Sequence, residues 1–107
     1  MLTLRQTSRS DLACLADWNR QLQEDENGAP MDRPALLARL DRWLQADYTA
    51  VIFADQQACP VGYALYRPGD VDQQGPDTIY LRQFFIARGH RRGKLGTAAF
   101  ELWRQSL

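Results

Sequence analysis

The sequence predicts an α/β fold, a mixed (α+β) sheet carrying helices, in the element order β-α-α-β-β-β-α. Three observations predict it. Two apolar runs, YTAVIFA at 48–54 and PVGYALYR at 60–67, flank the turn Asp55-Gln56-Gln57-Ala58 and read as a hairpin. Apolar residues recur at helical spacing through 12–22 and again through 36–44. Residues 80–105 pass from an apolar strand through a tight basic turn into an amphipathic helix. Strands from a hairpin with helices packed against them make a layered α/β architecture.

Each element has its local reason. Leu2 to Gln6 alternates apolar and polar residues, as a short strand does. Ser8 or Ser10 then supplies a cap, and Leu12, Leu15, Ala16, Asn19 and Leu22 mark one face of a first helix. Gly28 and Pro30 are expected to end it. Asp32 is the expected N-cap of a second helix with Pro34 in its first turn, where a missing N–H costs least. The stripe Leu36, Leu37, Leu40, Trp43 and Leu44 is read as core. Gly62, inside the second hairpin strand, marks a bulge or a close approach to the backbone. Residues 68–77 form a polar loop, 78–87 the longest strand, and 94–107 the last helix. On that helix Leu95, Ala98, Ala99, Leu102 and Ser106 form one face, with Phe100, Trp103 and Leu107 alongside.

Composition bounds the rest. A chain of 107 residues makes at most one domain, and folding at this size buries roughly two-thirds of the unfolded surface. Formal charge is zero, which argues against nucleic acid or an anionic membrane surface as the partner. Positive charge is local: Arg88, Arg91, Arg92 and Lys94 stand within seven residues, and Lys94 is the only lysine beside twelve arginines. Cys14 and Cys59 form neither a disulfide framework nor a zinc spacing, so free thiols in a reducing cytoplasm are expected and no metal is implied. The N-terminus has no signal-peptide core, and no apolar run reaches spanning length.

The turn Gly89-His90-Arg91-Arg92-Gly93-Lys94-Leu95-Gly96-Thr97 carries the chemistry. Glycines let backbone amides approach a ligand, a helix start presents free N–H groups, and cations crowd beside them. A Walker A loop fails here, because Arg88 replaces its first Gly and Leu95 its Ser or Thr. A dinucleotide fingerprint fails on the spacing of Gly89, Gly93 and Gly96. Arg88 and His90, taken singly, read as surface residues.

The register Arg91-Arg92-Gly93-Lys94-Leu95-Gly96 resembles the acetyl-CoA loop [QR]-x-x-G-x-[GA] of the GCN5-related N-acetyltransferase (GNAT) superfamily, with Lys94 in the middle glycine position. The surrounding RQFFIARGHRRGKLGTAAFELW and the preceding VGYALYR are similar to that family's strands and helix, and the likeness covers the whole chain. It implies a GNAT-like acyl-CoA N-acyltransferase fold, a single domain over 1–107 that stops before a fifth strand and lacks the family's C-terminal part. It implies acetyl-CoA (coenzyme A) as co-substrate and a small-molecule or peptide amine as acceptor, with acetyl passing by direct attack in a ternary complex. Arg91, Arg92, Gly93, Lys94, Leu95, Gly96 and Thr97 would bind the pyrophosphate, and backbone groups of Phe85, Ile86 and Ala87 would orient the pantetheine arm. The family's usual acidic base is replaced by Arg82 and Gln83, so the catalytic residues stay unassigned. Glu24 and Glu26, with Asp25 between them, are the candidates for attracting the amine. The alternative is a catalytically degenerate half-domain that acts as a binding module, pairing as a homodimer through strand 78–87.

Overall fold

The hairpin organises the molecule. In the computed structural model, which describes residues 2–29, 31–68, 79–91 and 94–107, strand β2 (Thr49–Ala54) pairs antiparallel with β3 (Pro60–Pro68). β1 (Thr3–Gln6) adds to the outer side of β2, and β4 (Ile79–Ile86) to the outer side of β3. The four strands run β1-β2-β3-β4, every neighbour antiparallel. Two helices, α1 (Leu12–Asp25) and α2 (Arg33–Gln45), follow β1, and α3 (Leu95–Ser106) follows β4. The expectations at Pro30, in the loop 69–77, at Thr78, and at Arg92 and Gly93 lie outside the described residues.

Both faces of the sheet are covered, which explains why β2 is apolar from Ala50 to Ala54. Ala50, Ile52, Tyr63, Leu65 and Phe85 point to one face and pack with Leu15, Ala16 and Trp18 of α1 and Leu36 and Leu40 of α2. Val51, Phe53, Val61, Ala64 and Ile86 point to the other and pack with Ala99 and Trp103 of α3. Of the face read in the sequence, Leu95, Ala99 and Leu102 pack on the sheet, while Ala98 and Ser106 are exposed. Trp103, read as lying alongside, is buried with its ring 5.5 Å from that of Tyr66.

Local chemistry sets the helix ends. Asp32 caps α2 as expected, its Oδ1 accepting the Ala35 N–H at 2.9 Å. Ahead of α1 a 3₁₀ turn (Arg9–Asp11) closes on Asp11, whose carboxylate accepts the Ser8 N–H at 2.7 Å and a two-pronged contact from Arg5 at 2.9 and 3.0 Å. α1 ends at Asp25, three residues before the glycine expected to end it. Asn27 takes the left-handed conformation at φ 55°, the Gly28 N–H bonds back to the Gln23 carbonyl at 2.8 Å, and the Asn27 N–H reaches Glu24 at 3.2 Å. Asparagine tolerates that conformation, so Gly28 serves as the residue after the turn.

Two bulges interrupt the ladders. At the first, Phe53 faces Gly62 while Ala54 faces Pro60, so Val61 is the extra residue. Both readings of Gly62 hold there, since a Cβ on it would lie 2.2 Å from the Phe85 carbonyl oxygen. At the second, Leu65 faces Gln83 while Tyr66 faces Leu81, leaving Arg82 without an opposite number. Leu81 belongs to the α3 face, and Gln83 reaches α1. The bulge therefore turns Arg82 and Gln83, consecutive residues, to the same side of the sheet.

Among the described residues no helix is long and apolar enough to cross a membrane.

Candidate functional site

The β4–α3 connection forms one end of the site. After β4 the chain makes a 3₁₀ turn (Arg88–His90) and reaches α3 through Arg91 and Lys94. Lys94 occupies the N-cap position without capping α3 through its side chain, and the first helical bond there is from the Ala98 N–H to the Lys94 carbonyl at 2.9 Å. The N–H groups of Leu95, Gly96 and Thr97 precede that bond and point out of the helix start. A Cβ at Gly96 would meet nothing within 4 Å, and its φ lies outside the left-handed region. The fold itself therefore has no need of glycine at 96. A bare backbone in open space beside free amides suits close approach by an anionic group such as a pyrophosphate.

Arg91 is tied into the protein. Its Nε donates to the Ile86 carbonyl at 2.7 Å, its terminal nitrogen to Asp25 at 2.8 Å, and its guanidinium lies 5.0 Å from the Phe85 ring centre. Arg88 donates to Glu24 at 3.2 Å and to Asp25 at 3.1 Å. The Arg91 hydrogen bond, with Arg88 adding to it, holds the Asp25 carboxyl below its usual range. The acidic end of α1 and the basic turn, far apart in sequence, thus form one charged cluster. Glu24 sits in that cluster facing the turn.

The backbone of β4 presents its groups unequally. The Ala87 N–H donates to Val61 at 2.8 Å, and the Phe85 carbonyl lies against Gly62. Antiparallel alternation therefore directs Phe85 and Ala87 toward β3 and Ile86 toward the outer edge. Phe84 and Ile86 pack on the α3 side and Phe85 on the α1 side, so these side chains alternate between two cores.

On the α1–α2 face, Gln23, Glu26, Gly28, Arg39, Trp43, Tyr80, Arg82 and Gln83 line an open cleft of about 360 Å³. Its floor is a hydrogen-bonded network. Asn19, fully buried, donates through Nδ2 to the Gln83 Oε1 at 2.7 Å and to the Tyr63 hydroxyl at 3.2 Å. Tyr63 donates to the same Gln83 oxygen at 2.8 Å, and Arg39 donates to the Asn19 Oδ1. Burial pushes the Tyr63 phenol up to about 12 despite the Asn19 bond, so it stays protonated. Trp43 carries Arg39 at 4.7 Å and Arg82 at 4.6 Å from its ring centre.

Of the acidic candidates, Glu26 lines this cleft and Glu24 does not. Sequence reasoning missed Arg39 and Gln83 as cleft residues, and Asn19 as the buried residue that ties them together. Only the four-residue spacing of Arg39 and Trp43, an arginine beside the apolar stripe, hinted at one of them. Tyr63 and Tyr66 pack as strand aromatics do, and Tyr80 remains exposed at the cleft. Among the described residues no group of three His, Cys, Asp or Glu side chains is placed to hold a metal ion.

A strand, a basic turn and the open N-terminus of a helix, set on an antiparallel sheet with two helices behind, describe a known family. A model of the acetyltransferase (GNAT) family matches residues 12–103. The chain belongs to the GNAT acetyltransferases. Solved structures share the fold. A possible acetyltransferase from Clostridium difficile 630 superposes with a TM-score of 0.84 at 15% identity, over 99% of this chain and 70% of that one. A predicted acetyltransferase with acetyl-CoA from Clostridium acetobutylicum gives 0.70 at 14%, over 99% and 73%. AAC(6')-Iy, in complex with the bisubstrate analog CoA-S-monomethyl-acetylneamine, gives 0.67 at 20%, over 99% and 73%. No curated protein sequence matches this GNAT chain.

Proposed function

We propose that this GNAT chain is an N-acetyltransferase that passes an acetyl group from acetyl-CoA to a primary amine by direct attack in a ternary complex. The observation that carries the reading is the start of α3, where the Leu95, Gly96 and Thr97 amides open beside Lys94 and a glycine with space around it. These amides, with Arg92, Gly93 and Lys94, hold the pyrophosphate. Arg91 acts by holding the turn against Ile86 and Asp25. Ile86, whose backbone faces the outer edge, is the group best placed to meet the pantetheine arm. Acetyl-CoA supplies the activated acyl group, and the protein's part is to bring the amine to it. Glu26 faces the acceptor amine, while Glu24 steadies the turn through Arg88. Cys14 and Cys59 are both free, which suits a reducing cytoplasm.

Calorimetric titration with acetyl-CoA tests this, together with thiol release in the presence of amines. Wild type is expected to bind, and an Arg92→Glu, Lys94→Glu variant to lose binding. A well-folded wild type that binds no acetyl-CoA would overturn the reading.

One observation favours a second reading, a degenerate module that pairs through β4. Among the described residues the outer edge of β4 carries no strand, and Tyr80 and Phe100 are exposed near it. Native mass measurement decides: a stable monomer at working concentration argues against pairing.

A further inference from the structure

The charge in the α1–α2 cleft does not suit a plain cationic amine. Arg39 and Arg82 reach it from α2 and β4, stacked on the same Trp43 ring, and Glu26 is its only acid among the described residues. Arg82 is there because of the bulge, which turns it to the Gln83 side instead of toward α3. Two cations on one ring make this side of the cleft positive, which favours a negative group beside them. Burial, and next the charge of Arg82, pull the Arg39 guanidinium below its ordinary value.

Hydrogen bonding shows the same need. The Arg39 Nε is buried without a partner, and so is the Gln23 Oε1. Both residues line the cleft. An unused donor on Arg39 calls for an acceptor, and an unused acceptor beside Glu26 calls for a donor. The cleft is thus polarised, with Gln23 and Glu26 from the end of α1 at one side and the stacked guanidinium pair at the other.

We propose that the acceptor of this site is an amine that also bears a carboxylate, an amino-acid-like zwitterion. Arg39 and Arg82 grip the carboxylate, and Glu26 with Gln23 receive the ammonium. Flat guanidinium forks match the two oxygens of a carboxylate, and a ring-stacked arginine loses little freedom in making the contact. The inference rests on the acetyltransferase reading for its reaction, and on the cleft alone for its binding.

The test is calorimetry without coenzyme, using a panel of L-amino acids, each beside its carboxamide, with 1,4-diaminobutane and O-phosphoethanolamine as further probes. At least one amino acid is expected to bind about tenfold or more tightly than its amide, as a charge-assisted contact implies. Arg82→Gln, on an exposed residue that the core does not need, is expected to erase that ratio, and Arg39→Gln to do the same. Amides or the diamine binding as tightly as every acid would overturn the proposal. So would tighter binding of phosphoethanolamine than of any amino acid, or an unchanged ratio in Arg82→Gln. Thiol release from acetyl-CoA is measured separately. Selective amino-acid binding without acetyl-CoA binding supports the cleft assignment and sinks the enzyme reading. Acetyl-CoA binding with no carboxylate preference sinks the cleft assignment alone.

Discussion

Arg91 reaches Asp25 at 2.8 Å across the molecule, joining the end of α1 to the turn that opens α3. The same guanidinium holds the Ile86 carbonyl, so one side chain braces the turn against a helix and a strand. Asp25→Asn is expected to weaken acetyl-CoA binding about threefold, the scale of an exposed ion pair, with little change in melting temperature. Parallel calorimetry and thermal melts check it. Equal affinity in the variant would show that the brace does not shape the coenzyme site.

Gly96 separates ligand approach from folding. Because a Cβ there meets nothing within 4 Å, Gly96→Val should fold with a near-normal melting curve. Its side chain would stand beside the open amides and block the pyrophosphate. Acetyl-CoA affinity is expected to fall about tenfold or more, as expected for lost charge-assisted contacts. An unchanged affinity would place the phosphate elsewhere.

Gly62 is the opposite case. A methyl group there would stand 2.2 Å from the Phe85 carbonyl oxygen, which belongs to the neighbouring strand and cannot swing away. Gly62→Ala should destabilise by about 3 kcal/mol or more, among the large effects of forced backbone displacement. Urea unfolding measures it. A cost under about 1 kcal/mol would mean that β3 and β4 part easily, against ordinary core behaviour.

Acid stability should trace to Asp11. Chiefly the Arg5 hydrogen bond, and then the Ser8 N–H, hold its carboxyl at about 2, down from 3.8. A depressed carboxyl stabilises the fold fully above its unfolded value, and the contribution fades as pH falls from near 3.8 toward 2. The bare shift converts to about 2–3 kcal/mol, and solvent screening at the half-exposed Arg5 partner reduces this to about 1–2 kcal/mol at neutral pH. Asp11→Asn should lose it and flatten the stability profile across that acid window. Chemical unfolding at several pH values tests this, and an unflattened profile would assign the acid sensitivity to other carboxylates.

Much of this was legible in the chain. Asp32 caps α2 by a contact three residues away, and the hairpin strands declare themselves by composition. Such features depend on neighbours in sequence, so the sequence carries them whole. The cleft on the α1–α2 face was not legible. Asn19 and Gln83 stand on an apolar helix face and in a strand, with nothing nearby to mark them as partners. Glu24 and Glu26 looked equivalent, yet one faces Arg88 and the other the cleft.

The sequence by itself determined the elements, their order, and the basic, glycine-bearing start of the last helix, because capping, periodicity and glycine placement act over a few residues. Only the tertiary structure decided which charges meet. The bulge at Arg82 exists only in the register of β4 against β3, and it brings that arginine to Arg39 and Trp43. Pairing between distant strands sets which face a side chain occupies, and one extra residue reverses it.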